Sequence, residues 1–287
     1  MIRRILVAFD GSPSSEAALS IAGSLAGLTD AELIGLFVED QSRFMHISLG
    51  AAVLQNAVGE PMIPMPLPPE DLIAAEEEVE EESKALYELF QDRCQTAKVR
   101  GRFLSLHGIP EEVISGRAKS VDFVVLGNCG RSSLQLGFQH SAVTVNGLLR
   151  ATTRPVLVVP EEALGESRLV IAYDGSAASE RALRAAAEFA EISEMEAVHL
   201  FTIAGSDEEA LEIQSPALEY LTAYGLEVIA NHEKGRVGDE ILRYADQVDA
   251  SVIALGAFGA NRIREAIFGS TTDAVLKGAR AAVLLVA

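Results

Sequence analysis

The strongest constraint on the fold is that the chain repeats itself. Ile5 to Ser12 reads Ile-Leu-Val-Ala-Phe-Asp-Gly-Ser, and Leu169 to Ser176 reads Leu-Val-Ile-Ala-Tyr-Asp-Gly-Ser, 164 residues later. The run ending at Gly127 returns at Gly256, an offset of 129, and Pro155 to Val159 returns from Ala282 at an offset of 127. Such self-similarity means one supersecondary plan used twice. The first copy carries about 35 extra residues between its first two landmarks. The repeat predicts domains at 1–160 and 167–287, with an insertion at about 41–75 in the first. Between them lies the polar stretch Glu161 to Glu166.

Within each copy, short apolar runs alternate with helical patterns. In the second, strands are expected at Leu169–Tyr173, Ala197–Ile203, Leu226–Asn231, Ser251–Leu255 and Ala282–Val286. Helices are expected at Ser179–Glu191, at Glu208–Tyr224 despite Pro216, at Val237–Gln247 and at Ser270–Gly278. Unbroken apolar strands alternating with helices imply parallel βαβ units buried on both faces. The expected fold is therefore α/β, two tandem doubly wound five-stranded parallel-sheet domains. The insertion carries Gly59 to Pro69, a Pro- and Met-rich run unfit for a sheet or helix interior, followed by the acidic run Glu76 to Glu82. A surface loop feeding a solvated helix is the expectation there. A cover over a pocket or a subunit contact is the alternative.

Composition narrows the partners. The net charge is −19, from 42 acidic and 23 basic residues. A surface so acidic repels phosphate backbones and anionic lipid, so no nucleic acid and no membrane partner is expected. No apolar stretch approaches a membrane span, and the run after Arg4 is too short for a signal peptide. Two Cys, Cys94 and Cys129, cannot build a disulfide framework. A cytoplasmic protein is the expectation.

The richest chemistry lies in the second copy. Gly256, two residues, Gly259, nine residues, then Gly269-Ser270-Thr271 open a helix after a parallel strand. Glycines let the backbone approach an anion, and the free amides of a helix N-terminus favour phosphate without any Lys or Arg. Plain turns are the competing reading. Asp174-Gly175-Ser176 ends the strand expected to lie beside it. Asp174 can accept from ribose hydroxyls, and the small Ala172 leaves room for a ring. A turn with a helix cap also satisfies these residues.

These motifs resemble the universal stress protein family, in two tandem copies covering nearly the whole chain. The resemblance rests on Ile171 to Ser176, on Gly256-x2-Gly259-x9-Gly269-Ser270 and on Ala282 to Val286. It implies an adenine nucleotide alpha-hydrolase-like domain that binds ATP in many members. Carried over by position, Ala172, Asp174 and Thr202 would surround adenine and ribose. Leu255, Gly256, Phe258, Gly259, Gly269, Ser270 and Thr271 would line the phosphates. Many members carry Arg or Lys where Phe258 stands. In the first copy Ala8, Asp10, Val38, Gly127 and Gly130 are the weaker candidates, since nine residues beyond Gly130 stand His140-Ser141 instead of Gly-Ser. A Cβ at a backbone–phosphate contact is a steric cost, so a degenerate first site is expected.

The functional expectation is a stress-response regulatory protein binding ATP or AMP, with Mg on the phosphates as an option, mainly in the second copy. A homodimer and an unidentified protein partner are part of it. A weak ATP hydrolase and a structural module that binds no nucleotide are the alternatives. No catalytic residue or metal ligand is assigned: the five His show no metal spacing, and no nucleophile elbow or Walker lysine motif appears.

Overall fold

The computed structural model describes residues 2–40, 69–131, 142–162, 165–257 and 269–287. Ten strands and eight helices are found among them. The first half contributes β1 (Arg4–Ala8), α1 (Pro13–Thr29), β2 (Glu32–Asp40), α2 (Pro69–Ala97), β3 (Gly101–Gly108), α3 (Pro110–Ala118), β4 (Phe123–Gly127), α4 (Ala142–Ala151) and β5 (Val156–Val159). The second contributes β6 (Glu166–Ala172), α5 (Ala177–Ile192), β7 (Ala197–Ile203), α6 (Asp207–Ala223), β8 (Val228–Glu233), α7 (Val237–Gln247), β9 (Ala250–Gly256), α8 (Ser270–Gly278) and β10 (Ala282–Val286). The fold is α/β and mostly parallel, as the alternating pattern predicts. Much of the insertion, 41–68, lies outside the described residues. Its acidic run falls inside α2.

The strands form one sheet, in the order β3-β2-β1-β4-β5-β10-β9-β6-β7-β8. Each half keeps the same internal order, and all neighbours are parallel except at the centre. There β5 and β10 run antiparallel, with Leu157 opposite Leu284. Both strands are buried along their whole length. Each is too apolar to leave as an open edge, and pairing with the other removes both edges at once. The outer strands β3 and β8 show far more exposed positions, as edges should.

Helices α1, α2, α5 and α6 cover one face of the sheet, and α3, α4, α7 and α8 cover the other. The first core runs across the seam, where Phe123 stacks on Phe189 with centroids 6.2 Å apart. No helix among the described residues is long and apolar enough to cross a membrane.

One buried polar pair sits under α7. His199 Nδ1 on β7 and Tyr244 Oη on α7 share a hydrogen bond of 2.9 Å, and Tyr244 stacks on Phe201 at 4.5 Å. Burial, then the charge of Arg168, holds the His199 pKa below the usual histidine value. The native state therefore takes up a proton less readily than the unfolded chain. This contribution to stability is complete above the unfolded pKa of about 6.5 and is lost as pH falls below it. Thermal melts at pH 7.5 and 5.5 should show a fall in Tm that shrinks in His199→Gln. An equal fall in both proteins would refute the assignment.

Candidate functional site

Open α/β sheets bind ligands beyond the carboxyl ends of the strands, where the strand order reverses. In the second half that point lies between β6 and β9, which pair through Ile171 and Ala254. Beyond β6, Tyr173 N–H donates to the Phe201 carbonyl at 2.9 Å and so continues the ladder. The chain then turns through Asp174-Gly175-Ser176, with Gly175 at φ +74°, a conformation that glycine adopts without strain. The Ser176 amide donates to Asp174 Oδ1 at 3.0 Å, while Ser176 Oγ accepts from the Ser179 amide and caps α5.

Thr202 is buried. Its hydroxyl donates to the Tyr173 carbonyl at 2.8 Å and props the turn from below. Asp174 is exposed. Partial burial pushes its carboxyl up, but hydrogen bonds from Ser176, Ser179 and the loop amides outweigh this and hold it below its usual value. It is an ionised acceptor facing solvent, suited to hydroxyl donors.

The glycines of the motif serve different ends. A Cβ on Gly256 would lie 2.4 Å from the carbonyl carbon of Ala178, so this glycine is where β9 touches the first turn of α5. Gly127 has the same relation to Ser14 on α1. Gly269 is the opposite case. It is exposed, has φ −53° and ψ 143°, and a Cβ there would meet no described residue within 4 Å. Gly269 precedes α8, with Ser270 exposed and Thr271 half-buried. A crossover helix runs back against the strands, which puts the free amides of its first turn at the carboxyl edge. The Leu255 side chain is in the core, leaving only its backbone at that edge. Ala172 is half-buried at the end of β6. Phe258 and Gly259 lie outside the described residues.

The first half uses the same turn differently. Asp10 Oδ1 accepts from the Ser12 amide at 3.1 Å and hydroxyl at 2.6 Å. Asp10 Oδ2 accepts from the Arg131 amide at 2.6 Å. The Cys129 carbonyl accepts from the hydroxyls of Ser14 and Ser12 at 2.7 and 3.1 Å. The carboxylate and the Gly127–Gly130 loop are thus tied to each other. The Arg131 guanidinium pairs with Glu82 of α2. Ala8 and Gly130 are half-buried, and Val38, in the place of Thr202, has no hydroxyl to donate. His140 lies outside the described residues. The Glu82–Arg131 pair is absent from the sequence reading. Its signal was an Arg directly after the loop glycine and an acidic run containing no base.

Among the described residues, no group of three His, Cys, Asp or Glu side chains is placed to hold a metal ion. The arrangement offers backbone amides and one carboxylate, which suits binding of a polar, anionic ligand with hydroxyl groups.

Comparison with known proteins gives a consistent picture. A curated universal stress protein from Synechocystis sp. is 26% identical over 158 residues, which make up 54% of this chain and 54% of that protein. The chain thus spans about half the length of that relative. A universal stress protein from Archaeoglobus fulgidus, 20% identical, superposes with a TM-score of 0.71 over 99% of this chain and 97% of its own. A putative universal stress protein from Pseudomonas aeruginosa, 18% identical, superposes with a TM-score of 0.64 over 99% and 93%. These two show the shared fold. The family model described as Universal stress protein family matches residues 1–60 and 167–287, more than half of the chain, and the part it leaves out includes the tied glycine loop of the first half. With both repeats and the whole architecture in agreement, the chain belongs to the universal stress protein family.

Proposed function

We propose that the chain is a stress-response regulatory protein that binds an adenine nucleotide, ATP or AMP, in the second of two domains, 1–160 and 167–287. What supports this reading is that the exposed Asp174 turn ends β6, that β6 pairs with β9, and that the helix following β9 opens at Gly269-Ser270-Thr271. Asp174 would accept from the ribose hydroxyls and the first amides of α8 would hold phosphate, with Ala172 beside the base. Gly256 shapes the floor by bringing β9 against α5, and Thr202 holds the turn that presents Asp174. Phe258 and Gly259 remain phosphate-loop residues in this proposal, and Mg would accompany the nucleotide as its counter-ion.

Binding without turnover is favoured over hydrolysis because amides and one carboxylate suffice to hold a nucleotide, whereas phosphoryl transfer needs groups positioned for metal and water. Occupancy would be read by a protein partner. A homodimer would form through a surface other than the β5–β10 seam, whose two edges already satisfy each other.

Calorimetric titration of stripped protein with ATP and Mg should give one site per chain. Asp174→Ala should weaken that site by roughly 1–3 kcal/mol, about 5- to 150-fold in Kd. Undiminished affinity would place the ribose elsewhere. Two equal sites would end the preference for the second half, and no binding at millimolar ATP would favour the purely structural module.

A further inference from the structure

The two Asp-Gly-Ser turns are superposable in sequence and different in surroundings. Among the described residues, a Cβ on Gly175 would meet only Ile213, at 3.8 Å. The same point on Gly11, at φ +72°, is 2.5 Å from Arg131 Nη2 and 3.2 Å from Leu86. In both halves the helix after the second strand reaches the turn, through Ile213 of α6 and Leu86 of α2. What the first half shows in addition is Arg131, carried there by the loop that follows β4. Glu82 and Leu86 lie one helical turn apart where α2 crosses the Asp10-Gly11-Ser12 turn.

The chemistry at that crossing is specific. The Arg131 amide is fixed to Asp10 Oδ2, which anchors its backbone at the end of β1. Its guanidinium then lies over Gly11 and meets the Glu82 carboxylate. The side chain of Glu82 is only 12% exposed and that of Arg131 37%. A guanidinium accepts a carboxylate or a phosphate with the same planar fork of N–H donors.

We infer that the first half is self-liganded: the Glu82 carboxylate sits on Arg131, over the Asp10-Gly11-Ser12 turn, in the place a phosphate group would take, and so masks an anion site. This rests on the reading of the corresponding second-half edge as a phosphate site. It goes further in naming both the cation that would bind an anion in the first half and the residue that keeps it filled. Lifting α2 from the turn would expose Arg131 together with the Asp10-Gly11-Ser12 turn.

Arginine reactivity tests this without nucleotide. Wild-type protein and Glu82→Gln are treated with phenylglyoxal, and modification of each Arg is followed by mass spectrometry. In wild type, Arg131 should react roughly tenfold more slowly than Arg236, whose side chain is 78% exposed. In Glu82→Gln it should approach the rate of Arg236, and millimolar pyrophosphate should slow it again. Wild-type Arg131 reacting as fast as Arg236 would overturn the inference and needs no variant to fold. A fast Arg131 in Glu82→Gln that pyrophosphate does not protect would reduce the pair to a tie between α2 and the loop, and overturn the anion site. Failure of the ATP titration would count against the second-half site alone, since neither arm here uses ATP.

Discussion

Gly269→Asp is expected to abolish nucleotide binding while leaving the protein at least as stable as before. The two effects have separate causes. Gly269 is the N-cap of α8, its backbone angles suit any L-residue, and a side chain there would meet no described residue within 4 Å of its Cβ. Asp is a better N-cap than Gly, and its charge is favourable beside the positive end of the helix dipole. Together these are worth about 0.5 kcal/mol. The carboxylate would, however, take the same amides that the proposed phosphate uses. Two like charges about 4 Å apart at an effective dielectric of about 20 repel by about 4 kcal/mol. Allowing generously for relaxation, Kd for ATP should rise at least about a hundredfold. Calorimetry and a thermal melt on one preparation separate the outcomes. Intact affinity would remove the α8 terminus from the site, whereas a lower Tm would mean that Gly269 serves the fold.

Gly256→Ala should behave in the opposite way. A single methyl added there falls 2.4 Å from the carbonyl carbon of Ala178 and 2.6 Å from its oxygen. Both atoms belong to the helix backbone, so no rotamer change relieves the overlap. Either β9 moves out of register with β6 and β10 or α5 lifts from the core. Overpacking of this kind costs about 3 kcal/mol, at the upper end of the usual range. That corresponds to a fall in Tm of roughly 6–12 °C. Nucleotide affinity would fall as a consequence of the displaced strand. A melt within about 2 °C of wild type would show that the contact is loose and that Gly256 faces ligand instead. The first and third landmark glycines of one motif thus answer to different demands, one of packing and one of access.

Much of this architecture is legible in the sequence. Alternating apolar runs and helical patterns locate the strands and helices of the second half to within about three residues, the usual uncertainty of boundaries read from sequence. The strand expected at Leu169–Tyr173 starts three residues earlier, at Glu166, and the one expected at Leu226–Asn231 runs Val228–Glu233. That edge strand is half exposed and has no apolar block to mark its start. The central seam is not legible. Val156–Val159 and Ala282–Val286 announce burial on both faces, but a buried strand reads the same whichever neighbour it pairs with. At the site, the Asp-Gly-Ser turns are visible because Gly and Asp have local reasons to be there. The Glu82–Arg131 pair is invisible for the opposite reason. Its members are far apart in the chain, and an acidic run reads as a solvated face unless the cation it meets is known.

The antiparallel junction of β5 with β10 has a consequence for how such a molecule can be used. Because strands of the two halves point opposite ways, their carboxyl ends emerge at opposite poles of a single slab. The poles share a floor of strands. One pole can therefore lose or change its ligand chemistry without disturbing the other, while any tilt of the floor reaches both. On the two proposals above, the molecule would be double-ended, one end open to a small molecule and the other closed by its own helix.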